Sequence, residues 1–244
     1  MIRITIWNEN CQEAVYKQET VLAQYPNVIH EYLASFLKEE FTVRTVTLYT
    51  NDGELVENAG ITKELLDETD VMLWWAHVAH DKVPDEVAQM VADAVRRGMG
   101  ILFLHSAHMS KTMRCLLGTS GTLHWREDGD SERLWVVDPY HPIAQGLGEY
   151  VKIPHVETYS EPFGIPEPDK LVFIGAYSGG EVFRSGCCWQ RENGKVFYFQ
   201  PGHETFPIYH MPEIQHILKN AIRWAYTPYR VDQLHCPNVS MPQD

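Results

Sequence analysis

The chain has 244 residues, a formal charge of −13 at pH 7 and 44% hydrophobic residues. That length and composition suit a single globular domain whose own core holds it together without disulfides or a structural metal. The acidic balance repels phosphate backbones and anionic lipid, so neither nucleic acid nor a membrane surface is an expected partner.

Ile2–Trp7 reads as a first strand, followed by a turn-like Asn8–Glu9–Asn10. Asn27 is placed to cap a helix over Val28–Glu39, in which Ile29, Leu33, Phe36 and Leu37 share one face. Phe41–Tyr49 is rich in β-formers, Thr62–Glu68 fits a short helix, and Val71–Trp75 is a compact apolar run suited to a buried strand. Pro84–Arg97 carries Val87, Met90, Val91, Ala94 and Val95 at helical spacing, with the proline tolerable in the first turn. Gly98 or Gly100 ends that helix, and Ile101–Leu104 is a second wholly apolar strand.

This alternation predicts an α/β domain of three layers around a mostly parallel sheet. Residues 121–170 are irregular, and only Leu134–Val137 reads as a strand there. Leu171–Tyr177, Cys187–Arg191 and Lys195–Gln200 follow as strands, with Asn193–Gly194 as a hairpin signal. Glu213–Trp224 is the last amphipathic helix. One domain is expected over residues 1–226, and residues 227–244 form an arm or tail.

The five cysteines have no framework spacing, and no stretch approaches a membrane span. Reduced thiols and a cytoplasmic location are expected, and the N-terminal residues do not read as a signal peptide.

Ligands of open α/β sheets bind beyond the carboxyl ends of strands. Five of the 12 histidines fall at such ends: His77 and His80, His105 and His108, and His203 beside Glu204. Each i, i+3 pair is either a chelating pair or two loop residues. Imidazole with carboxylate suits zinc or another divalent ion, although no HExxH or CxxC array specifies one. Asp81, Glu157 and Glu204 are the carboxylates placed for acid–base work. Ser106 follows a strand as a nucleophile would, but Leu104 and His108 do not fit a GxSxG elbow. Trp75, Trp125 and Tyr159 are aromatics that would stack on a sugar face or pack in the core. No glycine-rich phosphate fingerprint follows Trp7, so no nucleotide cofactor is expected.

Several segments in order resemble the ThuA-like family, named for trehalose utilisation. They are Tyr25–His30, Gly100–Ala107, Tyr140–Ile143, Glu157–Tyr159, Gly202–His203 and Asn220–Trp224, spread over most of residues 2–226. The resemblance implies a flavodoxin-like fold of the class I glutamine amidotransferase type. It also implies carbohydrate metabolism, with disaccharides such as trehalose or their keto forms as substrates. The residues it singles out are His30, His105, Glu157 and His203, which by analogy would converge in one polar pocket.

The amidotransferase cysteine is absent from His105–Ser106–Ala107–His108, so thiolate-driven glutamine hydrolysis is not expected. The expected activity is that of a sugar-processing hydrolase or isomerase, with Glu157 and His203 as acid–base residues and His105 orienting or polarising substrate. A non-catalytic carbohydrate-binding or regulatory protein on a degenerate amidotransferase scaffold is the alternative. Residual hydrolase activity at Ser106 is a third reading. Self-association is compatible with the sequence, and the family context suggests a sugar oxidoreductase partner.

Overall fold

The structure is a computed structural model that describes residues 1–238. Its strands are β1 (Arg3–Asn8), β2 (Thr42–Thr47), β3 (Val71–Trp75), β4 (Gly100–Leu104), β5 (His124–Arg126), β6 (Glu132–Val136), β7 (Tyr150–Ile153), β8 (Thr158–Ser160), β9 (Lys170–Tyr177), β10 (Val182–Arg191) and β11 (Gly194–Phe199). The helices are α1 (Cys11–Ala14), α2 (Glu19–Gln24), α3 (Ile29–Leu37), α4 (Lys63–Asp67), α5 (Asp85–Arg96), α6 (Lys111–Leu117) and α7 (Pro212–Ala225).

Nine strands form one sheet in the order β2-β1-β3-β4-β11-β10-β9-β6-β7, and β5 pairs with β8 in a separate ribbon. β3 and β4 are buried at every residue, as unbroken apolar strands covered on both faces must be. On one face α3 packs on β1 and β2 while α7 packs on β4 and β11. These two helices are tied by Gln215 to Tyr32 and by Lys219 to Glu40. α4, α5 and α6 form the row on the opposite face. α7 buries Ile214, Ile217, Leu218, Ala221, Ile222 and Ala225, and each large aliphatic among them is worth about 1.5–3 kcal/mol in burial.

The result is a mixed, three-layer, flavodoxin-like α/β architecture. The expectation of a mostly parallel sheet needs correction. β2, β1, β3, β4 and β11 run parallel, whereas the β11–β10, β10–β9, β9–β6 and β6–β7 pairs are antiparallel. The irregular middle also hides β5, β7 and β8, which are only three or four residues long and carry too little pattern to be read.

Two local details differ from the sequence reading. Asn27 does not cap α3; it is exposed, Val28 takes the N-cap position at φ 60°, and the Glu13 carboxylate reaches the Ile29 N–H at 3.4 Å from outside. Such a carboxylate complements the positive end of the helix. The hairpin turn between β10 and β11 is Glu192–Asn193, since Arg191 pairs with Gly194. Gly194 is already in the strand, and a Cβ there would strike the Val95 carbonyl oxygen. In the 227–244 tail, the Arg230 guanidinium donates to the carbonyls of Leu66, Asp67 and Thr69, and the Val231 N–H donates to that of Arg97. Residues 239–244 of the tail lie outside the described residues.

Candidate active site

The carboxyl ends of β3, β4 and β11 sit side by side, and each delivers one part of the site. β3 leads to His77, β4 runs directly into His105, and β11 continues through Gln200 to His203 and Glu204. His105 occupies the sharp strand-to-helix turn with φ 54°, a left-handed conformation that costs a non-glycine residue about 1–2 kcal/mol. Gly202 has φ 149°, and a Cβ there would collide with the Tyr209 hydroxyl, so glycine lets this loop fold back over the sheet. The Trp75 indole N–H holds the same loop through the Gly202 carbonyl at 3.2 Å.

His77, His105, His203 and Glu204 each offer one ligand atom, and these atoms lie within 4.8 Å of one another. The group is therefore capable of coordinating a metal ion. His105 Nδ1 donates to the Gln200 carbonyl oxygen at 3.1 Å, which leaves Nε2 as the bare ring nitrogen. That Nε2 is buried without a hydrogen-bond partner, as are Oε2 of Glu157 and Oε2 of Glu204. Glu157 Oε2 lies 3.1 Å from His105 Nε2 but is not aligned as a hydrogen bond. Orphaned buried polar atoms this close together call for an ion, water or substrate between them.

His77 Nδ1 meets Glu204 Oε1 at 2.6 Å. Burial alone would lower the His77 pKa, but Glu204, with help from Glu157 and Glu9, pushes it up to about 9. Burial works against Glu204 as well, yet His77 holds it down to about 2. Glu157 also stays below its ordinary value: burial opposes ionisation, and His105, His203 and His77 outweigh it. His203 is pushed down by burial, and its Nδ1 accepts the Thr205 N–H at 3.2 Å. The ring proton of His203 then rests on Nε2, 3.8 Å from Glu127.

A cavity of about 470 Å³ opens onto this group, with His77 and Glu157 in its wall. Ser106, His80, His108 and Thr122 supply further polar groups, while Met109, Leu123, Trp125 and Tyr159 supply apolar ones. The Tyr159 hydroxyl and Ser106 Oγ are hydrogen-bonded at 2.7 Å. Burial lowers His108 to about 3 and His80 to about 4, so both are uncharged.

Among the residues singled out from the sequence, the structure brings His105, Glu157 and His203 together. It leaves His30 outside. His30 is buried in a neighbouring polar group, where Asn8 Nδ2 donates to His30 Nδ1 at 3.0 Å and to Glu13 at 3.1 Å. The two i, i+3 histidine pairs do not chelate as pairs. The first of each, His77 or His105, joins the cluster, and the second, His80 or His108, lines the cavity. Asp81 is exposed and paired with Lys82. Trp75 and Tyr159 are buried, whereas Trp125 is exposed.

Sequence reasoning missed two positioning residues. Gln200 binds His105 through its carbonyl and the Glu157 carbonyl through its amide at 3.0 Å. Glu9, read as part of a turn, is a buried carboxylate that accepts the N–H groups of Val78 and Ala79. A glutamine at the end of an apolar strand and a carboxylate directly after another were the available signals.

Comparison with known proteins gives the family. The structure is similar to ThuA-like proteins of Bacteroides uniformis (15% identity, TM-score 0.63, 93% of this chain and 92% of that one) and Parabacteroides merdae (14%, 0.61, 96% and 92%). It is also similar to a protein of Salmonella typhimurium LT2 described as cytoplasmic (13%, 0.59, 93% and 100%). No curated protein matches the sequence. Among the described residues no helix is long and apolar enough to cross a membrane. Residues 3–225 match the family described as ThuA, trehalose utilisation, and the chain belongs to that family.

Proposed function

We propose that the protein is an enzyme of carbohydrate metabolism that acts on a disaccharide or keto-sugar by His/Glu acid–base chemistry. The observation that carries this reading is the group of buried, unpaired atoms His105 Nε2, Glu157 Oε2 and Glu204 Oε2, of which Glu157 stands in the wall of the cavity. The donor set suits a divalent cation of the zinc class, held by His77, His105 and Glu204. Three protein ligands leave a position for substrate, where such an ion polarises a hydroxyl or carbonyl oxygen. Loading it would open the His77–Glu204 pair and release the His77 proton. Glu157, held ionised, is the base, and His203 carries a proton on Nε2 for return to the substrate.

Glutamine hydrolysis does not suit these residues. In this reading the scaffold is that of a class I glutamine amidotransferase, with His105 at the strained turn where a nucleophilic thiol would stand. Cys11 is raised to about 11 by burial, Cys187 and Cys188 are buried, and no cysteine lines the cavity. Five free cysteines and the cytoplasmic relative support a cytoplasmic location. A sugar oxidoreductase that forms or consumes the keto-sugar is the natural partner, and a homo-oligomer is compatible with this role.

Metal analysis of the purified protein, with a screen of sugars and keto-sugars by product analysis, tests the reading. One bound divalent ion, and turnover lost in Glu157→Gln with the fold intact, is the expected result. Saturable sugar binding without any product would favour the non-catalytic alternative. Full turnover by both Glu157→Gln and His105→Ala would overturn the assignment of the site.

A further inference from the structure

Trp125 and Tyr159 are direct cross-strand partners in the β5–β8 ribbon. Residues opposite each other in an antiparallel pair project to the same face, and both of these line the cavity. Their depths differ. Tyr159 is buried with its hydroxyl on Ser106, while Trp125 is 66% exposed. The ribbon thus forms a wall with an aromatic ring at its base and a larger, open one at its rim. An indole left largely in water beside a concave polar site marks a contact surface.

The wall is held from behind. His124, Arg126, Thr158, Ser160 and Glu181 line a second groove, which the exposed Trp125 also borders. There Arg126 donates to Glu181 at 3.1 and 2.9 Å and also pairs with Asp130 and Asp128. Glu181 belongs to the turn between β9 and β10, so the ribbon is tied to the main sheet. The Trp125 ring is presented by a fixed support, which lowers the ordering cost of binding.

The polar lining has one further property. Apart from His77 and Glu157, its hydrogen-bonding groups are hydroxyls and uncharged imidazoles: Ser106, Thr122, His80 and His108. His108 Nδ1 donates to the Gly121 carbonyl at 2.6 Å, which leaves its Nε2 an acceptor. No lysine or arginine lines the cavity, and the Glu157 carboxylate does. The charged groups of the lining are the His77 imidazolium and the Glu157 carboxylate, and the rest of its polar groups are neutral.

We infer that Trp125 is the specificity-determining platform for the distal, non-reacting ring of a neutral disaccharide or glycoside. This rests on the reading of the site as one for carbohydrate. The apolar face of a pyranose ring would lie on the indole while the reacting unit reaches His77 and Glu157. Binding energy from the remote ring would then position the reacting one.

The test is calorimetric titration of the purified protein with trehalose, maltose, cellobiose and glucose. Trp125→Ala and Trp125→Phe are compared with the unaltered chain. At least one neutral disaccharide is expected to bind saturably. The ratio of disaccharide to glucose affinity should fall about tenfold in Trp125→Ala and largely recover in Trp125→Phe. An unchanged ratio in Trp125→Ala, or no saturable binding of any neutral disaccharide, overturns the inference. Trp125-dependent binding without product would refute catalysis and leave the platform standing. Turnover whose disaccharide preference survives Trp125→Ala would do the reverse.

Discussion

The Gln200 carbonyl oxygen and His105 Nδ1 face each other at 3.1 Å, and this contact decides what His105 can do. A carbonyl only accepts, so Nδ1 keeps its proton and Nε2 is the ring nitrogen turned to the cluster and to Glu157. Hydrogen bonding of this kind orients metal-binding histidines and raises their basicity. The strand-to-helix turn pays for that orientation with a positive φ at a non-glycine residue.

A reversal of the usual glycine penalty follows. His105→Ala and His105→Gly both remove the ligand nitrogen and leave the same buried space. At φ 54° glycine carries no Cβ penalty, whereas alanine does. His105→Gly should therefore be more stable than His105→Ala by about 1 kcal/mol. Urea denaturation of the two variants checks the sign, and both should lose zinc binding in a chelator competition.

Glu9 lies behind the site and acts through the backbone. Its two oxygens accept the Val78 N–H at 2.8 Å and the Ala79 N–H at 3.0 Å, fixing the loop that carries His77. Glu9→Gln keeps the shape but replaces one acceptor by an NH₂ group that meets an N–H. Zinc affinity should fall about tenfold, in the range typical of groups that support a ligand. Chelator competition on the variant measures this, with Glu9→Ala as the more severe comparison. Unchanged affinity in both would show that the loop holds itself.

Glu132 on β6 is fully buried, with Ser185 as its hydrogen-bond partner on Oε1 and none on Oε2. Burial pushes its pKa up to about 8. Below the ordinary carboxylate value near 4.5 both folded and unfolded chains hold the proton, and there is no penalty. As pH rises toward 8, the unfolded chain ionises while the folded one stays neutral, so stability falls by about 1.4 kcal/mol per pH unit. Glu132→Gln removes this dependence. Its advantage over the unaltered chain should grow between pH 5 and about pH 8 and then level off. Denaturation midpoints across that range would show a constant difference if Glu132 were already ionised in the fold.

The parallel half of the fold was legible because its strands are uninterrupted apolar runs followed by helices with clear stripes. Val71–Trp75 is the same segment in sequence and structure. β5 and β8 were not legible, because three residues cannot establish an alternation, and they form the wall that carries Trp125 and Tyr159. The strand-end histidines were visible as a set, but their division was not. Residues 105–109 form a 3₁₀ turn, in which positions three apart point the same way. They are also displaced by about 6 Å along the axis. His105 therefore reaches the cluster and His108 only the cavity wall. Glu9 and Gln200 were hidden for another reason: each of their contacts involves a backbone group brought close by the sheet.

Arg230 offers a test of the chain beyond the last helix. Its guanidinium donates to the Thr69 carbonyl at 2.8 Å, the Leu66 carbonyl at 3.2 Å and the Asp67 carbonyl at 3.3 Å. These acceptors lie at and just beyond the end of α4, where carbonyl oxygens lack partners within the helix. A cation is favoured there by the helix dipole as well. Arg44, by contrast, pairs with Glu68 across two exposed side chains. Hydrogen bonds from a charged, partly buried donor are worth about 1.5–3 kcal/mol, whereas an exposed pair contributes about 0–1 kcal/mol. Arg230→Ala should therefore lower the melting temperature by several times as much as Arg44→Ala. It should also speed hydrogen exchange at the Val231 amide, whose bond to the Arg97 carbonyl holds the same segment. Equal, small effects of the two substitutions would mean that the tail only lies against α4 and adds nothing to its stability.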